Sequence, residues 1–367
     1  MKLKTKKKRP NSGKLTLVIC MAVLVVLAAA LLVVINVYRN NLAPVDAKST
    51  KASEAFVVES GASANDVIDS LYKAALIRDV NAAKIYVKVK GISAVYAGNY
   101  MLSQTMSTVD IFNTITDESK AIVDQVEVTL LPGKWAKDYA AAIAEVTNLK
   151  ADDILAKWID VDYMYKLIDK YDFLTTDIFS SEHVFLEGYL TPDTYKFYAQ
   201  TTIEQVTEKI LDQTEAVYKQ HKDEIDRVMA AKKLSLHDVY TMASIVMFEA
   251  NSEENMKLVA GVFFNRLAAG MKLQSSVTVC YALYDKYKSW VDCESNPDLD
   301  SKYNTYVYQG LPIGPICNPT ATALEAVLEP TESDYLYFMA SVVSGKMHFA
   351  TTYAQHEANV KKYLYEK

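Results

Sequence analysis

Glu249 is where the side chains of this sequence could do chemistry. It closes the stretch Met242-Ala243-Ser244-Ile245-Val246-Met247-Phe248-Glu249 and falls on one face with Val239, Met242 and Val246, at the three- and four-residue steps of a helix. Ser235 followed by Asp238 marks the start of that helix as a capping box. A carboxyl group on the inward face loses water, which disfavours its charged form. Its pKa then rises and it can hold a proton to donate near neutral pH. A carboxylate paired with an Arg or Lys is the other reading of this position, because structural ion pairs also perturb acidity.

Other chemistries lack their residues. His183, His221, His237, His348 and His356 form no His-Glu-x-x-His pattern and no Cys/His cluster, so neither a metal nor a cofactor is expected. There is no Gly-x-Ser-x-Gly elbow and no phosphate-cradling glycine loop. Carboxylate chemistry remains. Cleavage of a glycosidic bond needs a general acid on the leaving oxygen and usually a second carboxylate.

The elements around Glu249 begin with an anchor. Lys2, Lys4, Lys6, Lys7, Lys8, Arg9 and Lys14 precede an uncharged apolar run of 21 residues, Leu15 to Ile35. As a helix the run spans roughly 32 Å, the thickness of a bilayer core. A secretory signal has a shorter apolar region followed by a small-residue cleavage site. Here Ala28-Ala29-Ala30 lies inside the run, so a retained transmembrane helix over 15–37 is expected. The positive-inside rule places the basic tail 1–14 in the cytoplasm and everything after about Tyr38 outside the cell membrane.

Eight of the 39 Lys and Arg lie in the first 39 residues, which hold no acid. The remainder carries 31 basic and 45 acidic side chains, a charge of −14 against −6 for the whole. That balance argues against nucleic acid and is compatible with a neutral or mixed-charge polymer such as a glycan. Cys280, Cys293 and Cys317 leave room for one disulfide in an oxidising exterior, with Cys280 to Cys293 a candidate pair.

Residues 38–53 read as a polar linker. Over 54–122 the pattern is strand, helix, strand, helix: Ala55–Val58, Ser63–Ala75, Asn99–Leu102, and a helix capped by Ser107 with Asp110. Without paired acids this is a binding module. A larger domain, 123–367, opens with strand Val126–Leu131 and the turn Pro132-Gly133. Helical sequence continues to about Lys233, broken at Glu187–Tyr195; the Glu249 helix follows, then one over Ser252–Ala269 stopped by Gly270. Residues 271–320, rich in β-branched and turn residues, are expected to form short strands and loops. The end reads as a helix over 320–327, a strand over 335–340 and a helix over 354–365. The fold class is α+β, mostly helical, with short strands around a cleft.

Several blocks, in this order and spacing, carry a resemblance. They are Glu187-Gly188-Tyr189-Leu190 with Pro192-Asp193-Thr194-Tyr195, then Met242–Val246 with Glu249, and Val259-Ala260-Gly261-Val262-Phe263-Phe264-Asn265-Arg266-Leu267 with Gly270–Ser275. Tyr303-Asn304-Thr305-Tyr306 with Gly310-Leu311-Pro312, and His348-Phe349 with His356, complete the set. Together they resemble the MltG (YceG-like) endolytic murein transglycosylases across most of residues 54–365. The resemblance implies a LysM-like module at 54–122 and a catalytic domain that cleaves glycan strands near the membrane. Three positions depart from the family pattern: Met247 where an acid is common, Ser276-Val277 where Asp-Pro is common, and Glu357 where Asn is common.

Carried over to this chain, Glu249 is the catalytic acid. It would protonate the oxygen between N-acetylmuramic acid and N-acetylglucosamine, then act as base while the C6 hydroxyl closes on C1. The product would be a 1,6-anhydro end, with no water consumed. Gln274, Ser275, Asn304 and Thr305 are assigned to hold the glycan, with turn-stabilising hydrogen bonds as their other reading. Glu187 and Asp193 read as caps or loop organisers, and Tyr189, Tyr195, Tyr303 and Tyr306 either stack on sugars or pack. The implied partners are nascent peptidoglycan strands and cell-wall synthases. Two rivals stay open: a non-catalytic glycan-binding scaffold, and a muramidase that activates water with Asp193 or Glu187.

Overall fold

The computed structural model describes residues 12–51, 53–59, 61–121, 125–199 and 201–366. The chain divides into two compact units, Met1–Val123 and Asp124–Lys367.

The first unit begins with helix α1, Ser12–Asn41. Its segment Val23–Asn41 has a mean hydropathy of 2.1 and none of its side chains is buried in protein, so it is long and apolar enough to cross a membrane. The basic residues Lys2 to Arg9 lie outside the described residues. The stretch after α1 packs in part on the following module. Leu42 enters the core of the following module, Thr108 N–H donates to Leu42 O at 3.0 Å, and Asp46 N–H donates to Gln104 O at 3.1 Å. Arg78 donates to Pro44 O at 2.6 Å and Val45 O at 3.3 Å. One buried leucine and a guanidinium on free carbonyls therefore dock the chain as far as Asp46.

The module comprises β1 Glu54–Val58, α2 Ala64–Lys73, α3 Val80–Lys90, β2 Gly98–Leu102 and α4 Thr108–Ile115. The strands pair antiparallel, with Glu54 opposite Leu102 and Val58 opposite Gly98. Capping boxes at Ser63 with Asp66 and Ser107 with Asp110 start α2 and α4. Ile68, Leu71, Ala83, Tyr100, Leu102, Ile111 and Phe112 form the core. Helix α3 is absent from the sequence-based expectation because Ile85 and Val89, apolar yet exposed, blur the buried face of Ala82, Ala83, Tyr86 and Val87. Its caps are nonetheless regular: Asp79 accepts from Ala82 N–H at 2.7 Å, and Gly91 ends it at φ 65°.

The second unit runs β3 Gln125–Thr129, α5 Ala136–Val146, α6 Ala151–Trp158, α7 Val161–Lys170, β4 Thr194–Tyr198, α8 Ile203–Gln220, α9 Lys222–Lys232, α10 Leu236–Glu249 and α11 Glu253–Ala268. Then come α12 Ser276–Ala282, α13 Trp290–Ser295, α14 Ala321–Leu328, β5 Tyr337–Ala340, β6 Met347–Ala350 and α15 Tyr353–Tyr363. Strands β3 and β4 pair antiparallel, as do β5 and β6. Helix α10 packs against α11 and α14, and nearly all of it is buried. Among the described residues 271–320 there is no strand, contrary to expectation. Thr278 and Val279 are fully buried within α12, and Thr278 turns its hydroxyl onto Ser275 O at 2.7 Å. Tertiary burial there overrides β-propensity. The disulfide Cys280–Cys293 joins α12 to α13.

Two glycines are required by close approach. A Cβ on Gly261 of α11 would lie 2.5 Å from Thr331 O. Gly188 has φ +88°, and a Cβ there would meet Pro315 Cβ at 2.2 Å. Gly188→Ala is expected to destabilise the second unit by roughly 2–4 kcal/mol, from overpacking plus a left-handed backbone. Denaturant unfolding followed by near-ultraviolet circular dichroism checks this, and an unchanged midpoint would show that the 187–190 loop yields freely.

Candidate active site

A cleft of about 550 Å³ opens in the second unit. Glu249, Arg266, Leu273, Gln274, Ser276, Glu294 and Tyr306 line it. The β5–β6 ribbon supplies Tyr337 to Ala340 and Met347, while α15 adds Tyr353 and His356.

Glu249 is the last residue of α10, started by the expected Ser235–Asp238 capping box. Its side chain opens on the cleft yet is crowded enough that desolvation raises its pKa above the ordinary carboxyl range. A hydrogen bond from Ser275 and the charge of Arg266 pull the other way. The carbonyl end of a helix disfavours an anion, which adds to the rise. Ser275 Oγ donates to Glu249 Oε1 at 2.6 Å. No other described hydrogen bond reaches this carboxyl group, so Oε2 is the oxygen left to carry a proton.

Ser275 is itself fixed from behind. Its N–H donates to Thr305 Oγ1 at 3.0 Å, and Gln274 N–H donates to Thr305 O at 3.2 Å. Thr278 and Thr305 hydroxyls lie 3.0 Å apart. Gln274 adopts φ +50°, a left-handed conformation that costs energy for a residue with a side chain, and it turns the chain sharply beside the acid.

Arg266 holds both sides of the cleft. It is 8% exposed, donates from Nε to Leu336 O at 2.6 Å, and from Nη1 to Leu273 O at 2.7 Å and Lys272 O at 3.3 Å. Its guanidinium centre lies 5.2 Å from the Tyr337 ring centroid. The neighbouring Asn265 donates to Ser333 O and Tyr335 O at 2.6 and 3.0 Å. One turn of α11 thus fixes both the 272–273 segment before Ser275 and the entry to β5. The sequence motif contained Arg266, but its role was invisible without the carbonyls it holds.

Residues 56–362 match the YceG-like family. The chain is 34% identical to an endolytic murein transglycosylase of Bacillus subtilis (strain 168) over 333 residues, 90% of this chain and 89% of that protein. It is 31% identical to the protein of the same name from Streptococcus pneumoniae serotype 2, over 89% of this chain and 61% of the pneumococcal one. The crystal structure of a yceG-like protein from Listeria monocytogenes aligns with a TM-score of 0.57 at 32% identity, covering 84% of this chain and 99% of that one. The chain belongs to the YceG-like family.

Within this YceG-like chain the polar residues separate into two groups. Gln274 lines the cleft and Ser275 holds the acid, but Asn304 and Thr305 are buried and do not line it. Asn304 Nδ2 donates to Pro297 O and Leu299 O, both at 2.8 Å, and Oδ1 accepts from Tyr306 N–H. Their polar capacity shapes the loop that presents Tyr306. Tyr189, Tyr195 and Tyr303 are buried packing groups, whereas Tyr306 faces the cleft. Met247 packs on the core with the Thr320 hydroxyl on its sulfur, Ser276 lines the cleft, and Glu357 is exposed. His348 is held by Glu366 at 2.8 Å, while His356 lines the cleft against Tyr337. Among the described residues no His, Cys, Asp and Glu group could hold a metal.

Neither Glu187 nor Asp193 lines the cleft. Glu187 is a buried cap: both carboxyl oxygens accept from Ala136 N–H at 3.0 Å, Asn318 Nδ2 donates to Oε1 at 2.9 Å, and Tyr281 OH to Oε2 at 3.1 Å. Burial pushes its pKa up to about 8 despite these donors. Folded protein therefore keeps a proton that the unfolded chain releases near pH 4.5, and the stabilisation present below that pH is lost as pH rises through about 8. Glu187→Gln should flatten the fall in stability between these values, by an amount on the order of a few kcal/mol. Melting temperatures of both proteins across that range check this, and parallel curves would refute the raised pKa.

Proposed function

We propose that this YceG-like protein is a membrane-anchored endolytic murein transglycosylase. In this reading the N-terminus is cytoplasmic and the cleft works on nascent glycan strands outside the cell membrane. The observation that carries it is the carboxyl group of Glu249, desolvated in an open cleft and bonded by Ser275 on one oxygen. Relatives named for this activity, matched across about 90% of the chain, support the same reaction. The apolar helix α1 supports the anchor, and the first-unit module is proposed as a LysM-like aid to binding strands. Cell-wall synthases are the proposed protein partners.

Glu249 protonates the glycosidic oxygen between N-acetylmuramic acid and N-acetylglucosamine as the bond breaks through an oxocarbenium-like state. Crowding around Glu249 keeps its proton in place until the leaving oxygen takes it. The resulting carboxylate is steadied by Ser275 and by the charge of Arg266. It then accepts the C6 hydroxyl proton while that oxygen bonds to C1, giving a 1,6-anhydro end and regenerating the acid. Gln274 positions the strand, and Asn304 and Thr305 act behind it by holding Ser275 and Tyr306. A muramidase that activates water with Glu187 or Asp193 is the weaker reading, since neither lines the cleft.

Digesting uncrosslinked glycan strands with the detergent-solubilised full-length chain and weighing the products tests this. Anhydro ends are expected; ends heavier by one water, or intact strands, would overturn it. Glu249→Gln should lower the rate by about 10²–10⁴-fold.

The pH profile gives an independent check. The acid must be protonated, so kcat/KM falls as pH rises through the pKa of Glu249. Ser275 favours the carboxylate form. Ser275→Ala should move the basic limb to higher pH, and a limb that stays or moves down would remove Ser275 from contact with the acid.

A further inference from the structure

The chain contains three tryptophans, and two are buried: Trp158 at 0% and Trp135 at 6% exposure, against 63% for Trp290. Trp290 opens helix α13, and among the described residues no aromatic ring packs on it. Four residues on, and so on the same face about one turn or ~6 Å away, Glu294 lines the cleft. Tyr306 lines the same cleft, and the charges of Glu249 and Glu294 both act on its phenol. Glu249, Tyr306 and Glu294 thus share the cleft, and exposed Trp290 sits one helical turn from Glu294.

The helix that carries Trp290 is tied to the rest of the site. Cys293, one residue before Glu294, is joined to Cys280 of α12, and Ser275, the residue bonded to Glu249, is the N-cap of α12. Ser289 and Asp292 close a capping box at the start of α13. At 63% exposure the indole offers a broad apolar face to solvent, and a short helix holds that face in place only when tied down. The disulfide supplies that tie.

We propose that Trp290 is a stacking platform for a sugar ring of the glycan strand as it leaves the cleft past Glu294. This rests on the glycan-cleaving reading of the cleft. The apolar face of a pyranose lies flat on the indole, while its hydroxyls remain in water, so the contact tolerates different substituents and favours long strands over fragments that fill only the cleft. The tethered α13 sets the distance between platform and acid, and with it the length of strand that is gripped.

Fluorescence tests this directly, because the other two tryptophans are shielded from solvent. The full-length Glu249→Gln protein in detergent micelles, titrated with uncrosslinked glycan strands, should show a blue shift that is absent with Trp290→Phe. Trp290→Ala should bind strands about three- to ten-fold more weakly, the size of one ring contact, and bind tetrasaccharide fragments unchanged. Strand binding with no spectral shift and no loss in Trp290→Ala would overturn the platform and leave the exposed indole to another kind of partner. Equal losses on strands and fragments would also overturn it, by showing that Trp290 acts on the cleft itself. Failure of the Glu249→Gln protein to bind any glycan would instead sink the proposed function, and the platform with it.

Discussion

The guanidinium of Arg266 stands behind the whole cleft. It is buried, and its charge is tolerated because three backbone carbonyls from two separate segments surround it. Carbonyls of Lys272 and Leu273 fix the approach to Ser275, and the carbonyl of Leu336 fixes the start of β5. A neutral side chain of equal length would leave those carbonyls without donors in a region with little water. The same cation faces Glu249 closely enough to oppose the rise in its pKa. One side chain therefore links the shape of the cleft to the acidity of the group within it.

A second buried polar centre holds the scaffold away from the cleft. Asn318 accepts from Gly188 N–H and Leu190 N–H, and donates to Glu187 and Lys134 O. Glu187 caps the first turn of α5 from a loop 51 residues further along the chain. These groups satisfy one another through hydrogen bonds, and Gly188 lets the loop come close enough to Pro315 for the bonds to form. A strongly perturbed carboxyl group is thus a structural part here, and a second perturbed carboxyl group, Glu249, is the one open to a cleft. Acidity alone does not separate the two; access does.

Much of the local structure was legible from the chain. Ser235 with Asp238, Ser107 with Asp110, and Gly270 after α11 announced their helix ends, because capping is a short-range matter of side chains and nearby amides. Helix α3 is not legible because exposed Ile85 and Val89 blur its apolar face, although Asp79 and Gly91 bracket it. The strands expected in 271–320 gave way to α12 and α13 because burial of Thr278 and Val279, together with the disulfide, outweighs β-propensity.

Sequence by itself determined the apolar anchor-length helix, the place of Glu249 at the end of α10, and the family. These depend on residue type and on spacing within one element, or on motif order along the chain. Tertiary structure decided which polar residues meet that acid. Ser275 bonds it and Arg266 lines its cleft, whereas Asn304 and Thr305 are buried behind, and Glu187 caps a distant helix. Their partners are backbone carbonyls and amides from remote segments, which carry no signature of residue type. Only the packing of the whole unit brings such groups within hydrogen-bonding distance.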